Sequence, residues 1–132
     1  MAPPSRDVGY RFDYLVAPLR CAHCGRTAQP DEMLEMTTRL RDTPNLAYLG
    51  VGDKLPVTTE RALDNGYELL RAPQDDEPTI LLQTWACASC GATDNWAEVV
   101  IEEDIIEAIE EVVLDRDTLA RAHFRVGQDS QE

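Results

Sequence analysis

Two short stretches constrain this chain more than anything else in it: Cys21-Ala22-His23-Cys24-Gly25 and Cys87-Ala88-Ser89-Cys90-Gly91. Every cysteine of the protein lies in one of them. Two intervening residues let the backbone turn tightly enough for both sulfurs of a pair to face one point. The glycine that follows accepts a positive φ without a Cβ clash, which closes the turn. Together the pairs offer four thiolates, the number that fills a tetrahedral Zn2+ and leaves no position for water. The pattern therefore predicts one structural zinc centre, with Cys21, Cys24, Cys87 and Cys90 as ligands, pinning two distant parts of the chain together.

Residues 25–86 separate the two pairs, far more than the roughly 15–20 residues of compact four-cysteine sites. The intervening chain must then form a body of its own between the half-sites. With that allowance, the two Cys-x-x-Cys-Gly knuckles resemble a split zinc ribbon. That motif recurs across unrelated functions, so the resemblance implies an architecture and no activity. Rubredoxins, which carry iron, also use two such loops, but their pattern has proline after the first thiol, where this chain has Ala22 and Ala88. A thioredoxin-like redox pair at Trp85-Ala86-Cys87-Ala88-Ser89-Cys90 would need its first thiol at the start of a helix to lower its pKa. Turn residues from Gly91 to Asn95 follow instead.

At 132 residues with 43% hydrophobic residues, the chain is expected to fold as a single domain over 1–132 with its own core. The expected ordered core is 8–126, with 1–7 and 127–132 flexible. No apolar run is long enough to span a bilayer, and Met1 to Asp7 does not read as a signal peptide. Together with paired cysteines suited to metal, this places the expected location in the cytoplasm. The net charge of -13 argues against broad coating of nucleic acid or anionic membrane and favours basic partners.

Along the chain, period-two alternation predicts a strand over Tyr10–Val16, with Tyr10, Phe12, Tyr14 and Val16 on the buried face. A second strand is expected over 33–41, with Leu34, Met36 and Leu40 on one side. After a turn at 42–45 it should return as a hairpin through 46–51. Thr58 or Thr59 caps a short helix through Leu63, which Asp64-Asn65-Gly66 stops. A short strand at 67–71 and an acidic loop at 72–78 follow. The apolar run Thr79–Ala86 predicts a central strand, paired with Trp96–Ile101 so that the second knuckle sits at a hairpin tip. Trp85 and Trp96 should pack across that hairpin. From Glu102 the apolar residues Ile105, Ile106, Ile109, Val112 and Val113 recur at steps of three and four. This predicts an amphipathic acidic helix, ending near Asp115-Arg116-Asp117 or running on through Phe124.

The expected fold class is thus α+β: an antiparallel sheet, a split four-cysteine zinc ribbon and a C-terminal acidic helix. His23 should project away from the metal, and His123 is expected as a packing or exposed residue. No nucleophile–base constellation emerges, and Gly50-Val51-Gly52-Asp53 lacks the Lys-Ser/Thr of a phosphate loop. These observations predict a non-enzymatic adaptor that binds a protein partner through an acidic surface. Three alternatives remain open. One is a transcription-associated ribbon touching nucleic acid through Arg20, Arg26, Arg39 and Arg41. The others are an inhibitor or immunity protein capping a basic enzyme, and an iron-thiolate electron carrier.

Overall fold

The hairpin that carries the second knuckle is also the centre of the molecule. In a computed structural model, which describes residues 13–28, 36–38, 40, 47–74, 76–87, 89–92 and 94–126, strand β5 (Thr79–Trp85) pairs antiparallel with β6 (Asn95–Glu102) along its whole length. Side chains alternate across this hairpin. Leu81, Gln83 and Trp85 with Ala97, Val99 and Ile101 face one side, and Leu82 with Trp96 faces the other. Both faces are covered, which is why Thr79–Trp85 reads as a nearly unbroken apolar run.

The five-stranded sheet runs β4-β8-β5-β6-β7, where β4 is Tyr67–Leu69, β7 Ile105–Val112 and β8 Phe124–Val126. A smaller sheet has the order β2-β1-β3, with β1 at Asp13–Leu15, β2 at Thr37–Thr38 and β3 at Tyr48–Leu49. Leu15, Leu19, Met36, Leu40, Leu49 and Leu55 close over Leu81, Val99, Ile106 and Phe124 to form the main core. Burying each of these larger side chains contributes about 1.5–3 kcal/mol. Where the two sheets meet, the Tyr67 hydroxyl bonds the Gln83 side chain and Thr38. Burial pushes the Tyr67 phenol up to about 12, with Thr38 opposing.

Among the described residues, two short helices complete the α+β fold. In α1 (Thr59–Asp64) the Thr58 hydroxyl accepts the Arg61 N–H, as the sequence predicts, and Gly66 follows at φ +90°. In α2 (Arg116–Arg121) the Asp115 carboxylate accepts the Thr118 N–H. Asp115 therefore begins a helix, whereas the sequence pattern puts either the end of one here or its continuation through Phe124. The hydrogen bonds to Thr118 hold its carboxyl below the usual range. Near α2, Ala122 and Leu119 pack with Leu82 and Trp96 on the outer side of the large sheet.

Several expectations need correction. The segment expected as a C-terminal acidic helix is strand β7, antiparallel to β6. Its three-residue spacing comes from a bulge: Ile101 faces Ile106 but Val100 faces Ala108, so Glu107 is extra. One added residue puts Ile106 and Ile109, three apart, on the same core face. The β6–β7 turn is equally disguised. Glu103 and Asp104 both have positive φ, 54° and 67°, as a two-residue hairpin turn requires, yet neither is the usual Asn or Gly. The sheets are not purely antiparallel, because β3 runs parallel to β1 and β8 parallel to β5.

The expected hairpin of the second and third strands does not form, since β1 lies between them. In β1 the buried face is Asp13 and Leu15, continued by Ala17 and Leu19, while Tyr14 and Val16 are only half-buried. An aspartate occupies a core position because its Oδ1 accepts the Ala47 N–H at 3.0 Å. Trp85 and Trp96 do not stack across the hairpin. They lie on opposite faces, joined by the Trp85 Nε1–H donating to the Trp96 carbonyl at 3.3 Å. The predicted flexible ends 1–7 and 127–132, the turn at 42–45, and Tyr10, Phe12, Leu34, Arg39 and Arg41 lie outside the described residues. Among the described residues, no helix is long and apolar enough to cross a membrane.

Candidate metal centre

The two knuckles share the same pair of backbone hydrogen bonds. In the first, the Cys21 N–H donates to the Arg26 carbonyl and the Gly25 N–H to the Cys21 carbonyl, both at 2.9 Å. In the second, the Cys87 N–H donates to Ala92 and the Gly91 N–H to Cys87, again at 2.9 Å. Gly25 and Gly91 sit at φ 78° and 79°, the left-handed region where an L side chain costs energy. Each knuckle is held differently from outside. The first rides on a narrow loop closed by the Arg20–Thr27 bridge and the Ala28 N–H to Leu19 carbonyl bond. The second caps the β5–β6 hairpin.

All four predicted cysteines come together. Their sulfurs lie within 4.8 Å of one another. Cys21 Sγ is 3.7 Å from Cys90 Sγ, and Cys24 Sγ is 3.7 Å from Cys87 Sγ. An S–S bond would be about 2.05 Å, and the four cysteines are free thiols. Four thiolates bound at about 2.3 Å around a tetrahedral metal stand about 3.8 Å apart. The two cross-pair distances match that edge, so these residues can hold one metal ion. Cys21 and Cys87 are buried while Cys24 and Cys90 are exposed, so the centre sits at the surface with its inner half in the core.

The electrostatics suit a bound cation. Burial pushes the Cys21 thiol up, but the backbone N–H groups of Cys24 and His23 and the Asn95 amide outweigh it and bring it down to about 6. At Cys90 the Ala92 N–H pulls down, yet burial and the neighbouring sulfurs of Cys21, Cys87 and Cys24 raise the thiol to about 11. Four sulfurs this close cannot all carry negative charge unless a positive ion lies between them.

Asn95 is the residue that sequence reasoning missed. It looked like part of the turn after the knuckle, but it is the buried first residue of β6. Its Oδ1 accepts the Ala22 N–H at 3.2 Å and its Nδ2 donates to Cys21 Sγ at 3.5 Å. One side chain on the second half-site thus orients the first. Only its place at the end of a predicted hairpin tip could have signalled this. His23 does project away, as expected: Nε2 lies 2.7 Å from Asp94 Oδ1 in a half-exposed pair that also joins the knuckles.

Of the arginines proposed to cluster here, Arg20 turns inward on its own loop, its Nε donating to the Gly25 carbonyl. His123 lies far along the chain from the centre and is fully buried. Its Nδ1 accepts the Ile80 N–H at 3.0 Å, so the proton of the neutral ring is on Nε2. That nitrogen lies 3.2 Å from Glu77 Oε1 without hydrogen-bond alignment. Comparison of the chain with family models, curated proteins and solved structures returned no match.

Proposed function

We propose that the chain is a non-enzymatic adaptor built on a structural Zn2+ centre, and that it presents an acidic surface to a basic protein partner. The observation that carries the zinc assignment is the closed set of four thiols from two matched knuckles. Four sulfur ligands complete a tetrahedral Zn2+ and leave no site for water or substrate. Their position supports a structural role, because the centre ties the loop before β2 to the tip of the central hairpin. The partner reading rests on charge. Glu102, Glu103, Asp104, Glu107, Glu110 and Glu111 are all exposed along the β6–β7 hairpin, and among the described residues none makes an ion pair.

Elemental analysis of the purified chain tests the first half. Zinc near one equivalent per chain and a colourless solution are expected, and a red, iron-loaded protein would overturn it. Calorimetric titration against polyarginine and polyglutamate tests the second half. Salt-sensitive binding to polyarginine alone is expected, and indifference to both would refute the acidic surface.

A further inference from the structure

We propose that the open half of β7, Glu107–Val112, together with the groove at its end, takes up an extended basic segment of a partner protein as an added strand. This rests on the acidic-surface reading above and names where and how the partner docks.

β7 is the last strand of the large sheet, and among the described residues β6 is the one named strand it pairs with. The chain itself completes the first part of its outer edge. Gly52 N–H donates to the Ile106 carbonyl, Ile106 N–H to Asp53, and Leu55 N–H to Asp104, at 2.7–2.9 Å. This pairing ends at the bulge at Glu107. Beyond it, among the described residues, no backbone–backbone hydrogen bond reaches Glu107–Val112 from outside β6, while the Arg20 N–H donates to the Glu111 carboxylate at 3.0 Å. An incoming strand would prolong a line of pairing that residues 52–55 have already begun.

The far end of that edge opens into a groove of about 770 Å³, lined by Trp96, Val112, Val113 and Leu114 on the sheet side and by Arg20 and Ala22 of the first knuckle. Val113 is 73% exposed there, an apolar side chain that a docked residue would cover. Such a pocket at the end of an open edge supplies the side-chain recognition that main-chain pairing lacks. Charge selects the occupant. A second copy of this chain would set Glu107, Glu110 and Glu111 against their own counterparts, which opposes self-pairing. A segment alternating basic and apolar residues meets the carboxylates along the edge and fills the groove at its end.

The test uses the metal-loaded full chain and a short peptide of alternating arginine and valine. A twin peptide is N-methylated at alternate residues, which keeps the charge and removes the donors of one edge. Calorimetry reads affinity, and amide hydrogen exchange reads the site. The expected result is binding of the first peptide with protection at Glu107–Val112. Affinity should fall about tenfold with the N-methylated twin and with the double variant E107K/E110K. An unchanged near-UV spectrum from Trp85 and Trp96 verifies that the variant is folded. Equal affinity for both peptides would overturn strand addition and leave the acidic surface standing. Binding of neither would refute both, and sedimentation showing a β7-mediated dimer of the free chain would overturn the choice of partner.

Discussion

Replacing Asn95 with alanine removes a side chain that hydrogen-bonds from one half-site to the other at the sulfurs. Two bonds are lost: Ala22 N–H to Oδ1, and Nδ2–H to Cys21 Sγ. The first is an ordinary neutral bond near an exposed backbone, where water can replace the oxygen, so its loss costs about 0.5–1 kcal/mol. The second is made to a sulfur that is a thiolate when metal is bound. A bond to a charged group contributes about 1.5–3 kcal/mol, and the 3.5 Å length places this one at the lower end. The sum is about 2–2.5 kcal/mol. That agrees with the 10- to 100-fold loss of metal affinity typical when a partner of a metal ligand is removed, which converts to about 1.4–2.8 kcal/mol. Competition of the variant against a zinc chelator of known affinity should show a loss in that range. Asn95→Asp should lose more, because a carboxylate would face Cys21. A change under about twofold in Asn95→Ala would refute the orienting role. So would equal destabilisation of the metal-loaded and metal-free chains, which would mean that Asn95 only packs.

Three further outcomes are expected. Gly91→Ala, at φ 79° with open space around the new methyl, should destabilise the metal-loaded protein by about 1 kcal/mol through backbone strain alone, as read by urea unfolding. Replacing Glu103-Asp104 by Asn-Gly relieves two positive-φ side chains and should stabilise by about 1 kcal/mol; a helix at this place would instead be weakened by the same change. Glu77 is held down to about 2, first by the hydrogen bonds from Arg71, then by the Gln74 N–H against an opposing desolvation, with the Arg71 charge adding to the lowering. A carboxyl lowered on folding contributes stability that is present above its unfolded pKa near 4.5 and disappears as pH falls toward 2. Glu77→Gln should thus be less stable than the parent at pH 7. The difference between the two chains should shrink between pH 4.5 and 2, where the metal-dependent contribution, common to both, cancels.

The parts of the fold that were readable in advance are those where local chemistry and tertiary context agree. Thr58 and Gly66 bound a helix by capping and turn preference, and the same signals appear in the folded chain. Thr79–Trp85 is covered on both faces, so its apolar run marks a central strand. Both glycines after the thiol pairs take the positive φ that the motif demands. β7 was not readable because a single extra residue, Glu107, turned a two-residue period into a three-residue one. Its turn also uses Glu-Asp in a conformation that ordinarily advertises itself with Asn-Gly. In β1 the buried face is not legible from composition, because Asp13 looks less apolar than Tyr14 and becomes a core residue only through its bond from the Ala47 N–H. β2 and β3 could not be assigned partners from their own residues, since the strand between them comes from earlier in the chain. At the candidate metal centre the convergence of the four cysteines was legible from spacing. Asn95 was not, because its role depends on a contact between residues 22 and 95 that only the closed site creates.

X-ray absorption at the zinc edge of the purified protein bears most directly on the whole account. It should show a single shell of four sulfur atoms at about 2.3 Å with no nitrogen or oxygen neighbour. A shell containing nitrogen or oxygen, or the absence of zinc together with an S–S link in either knuckle, would contradict it.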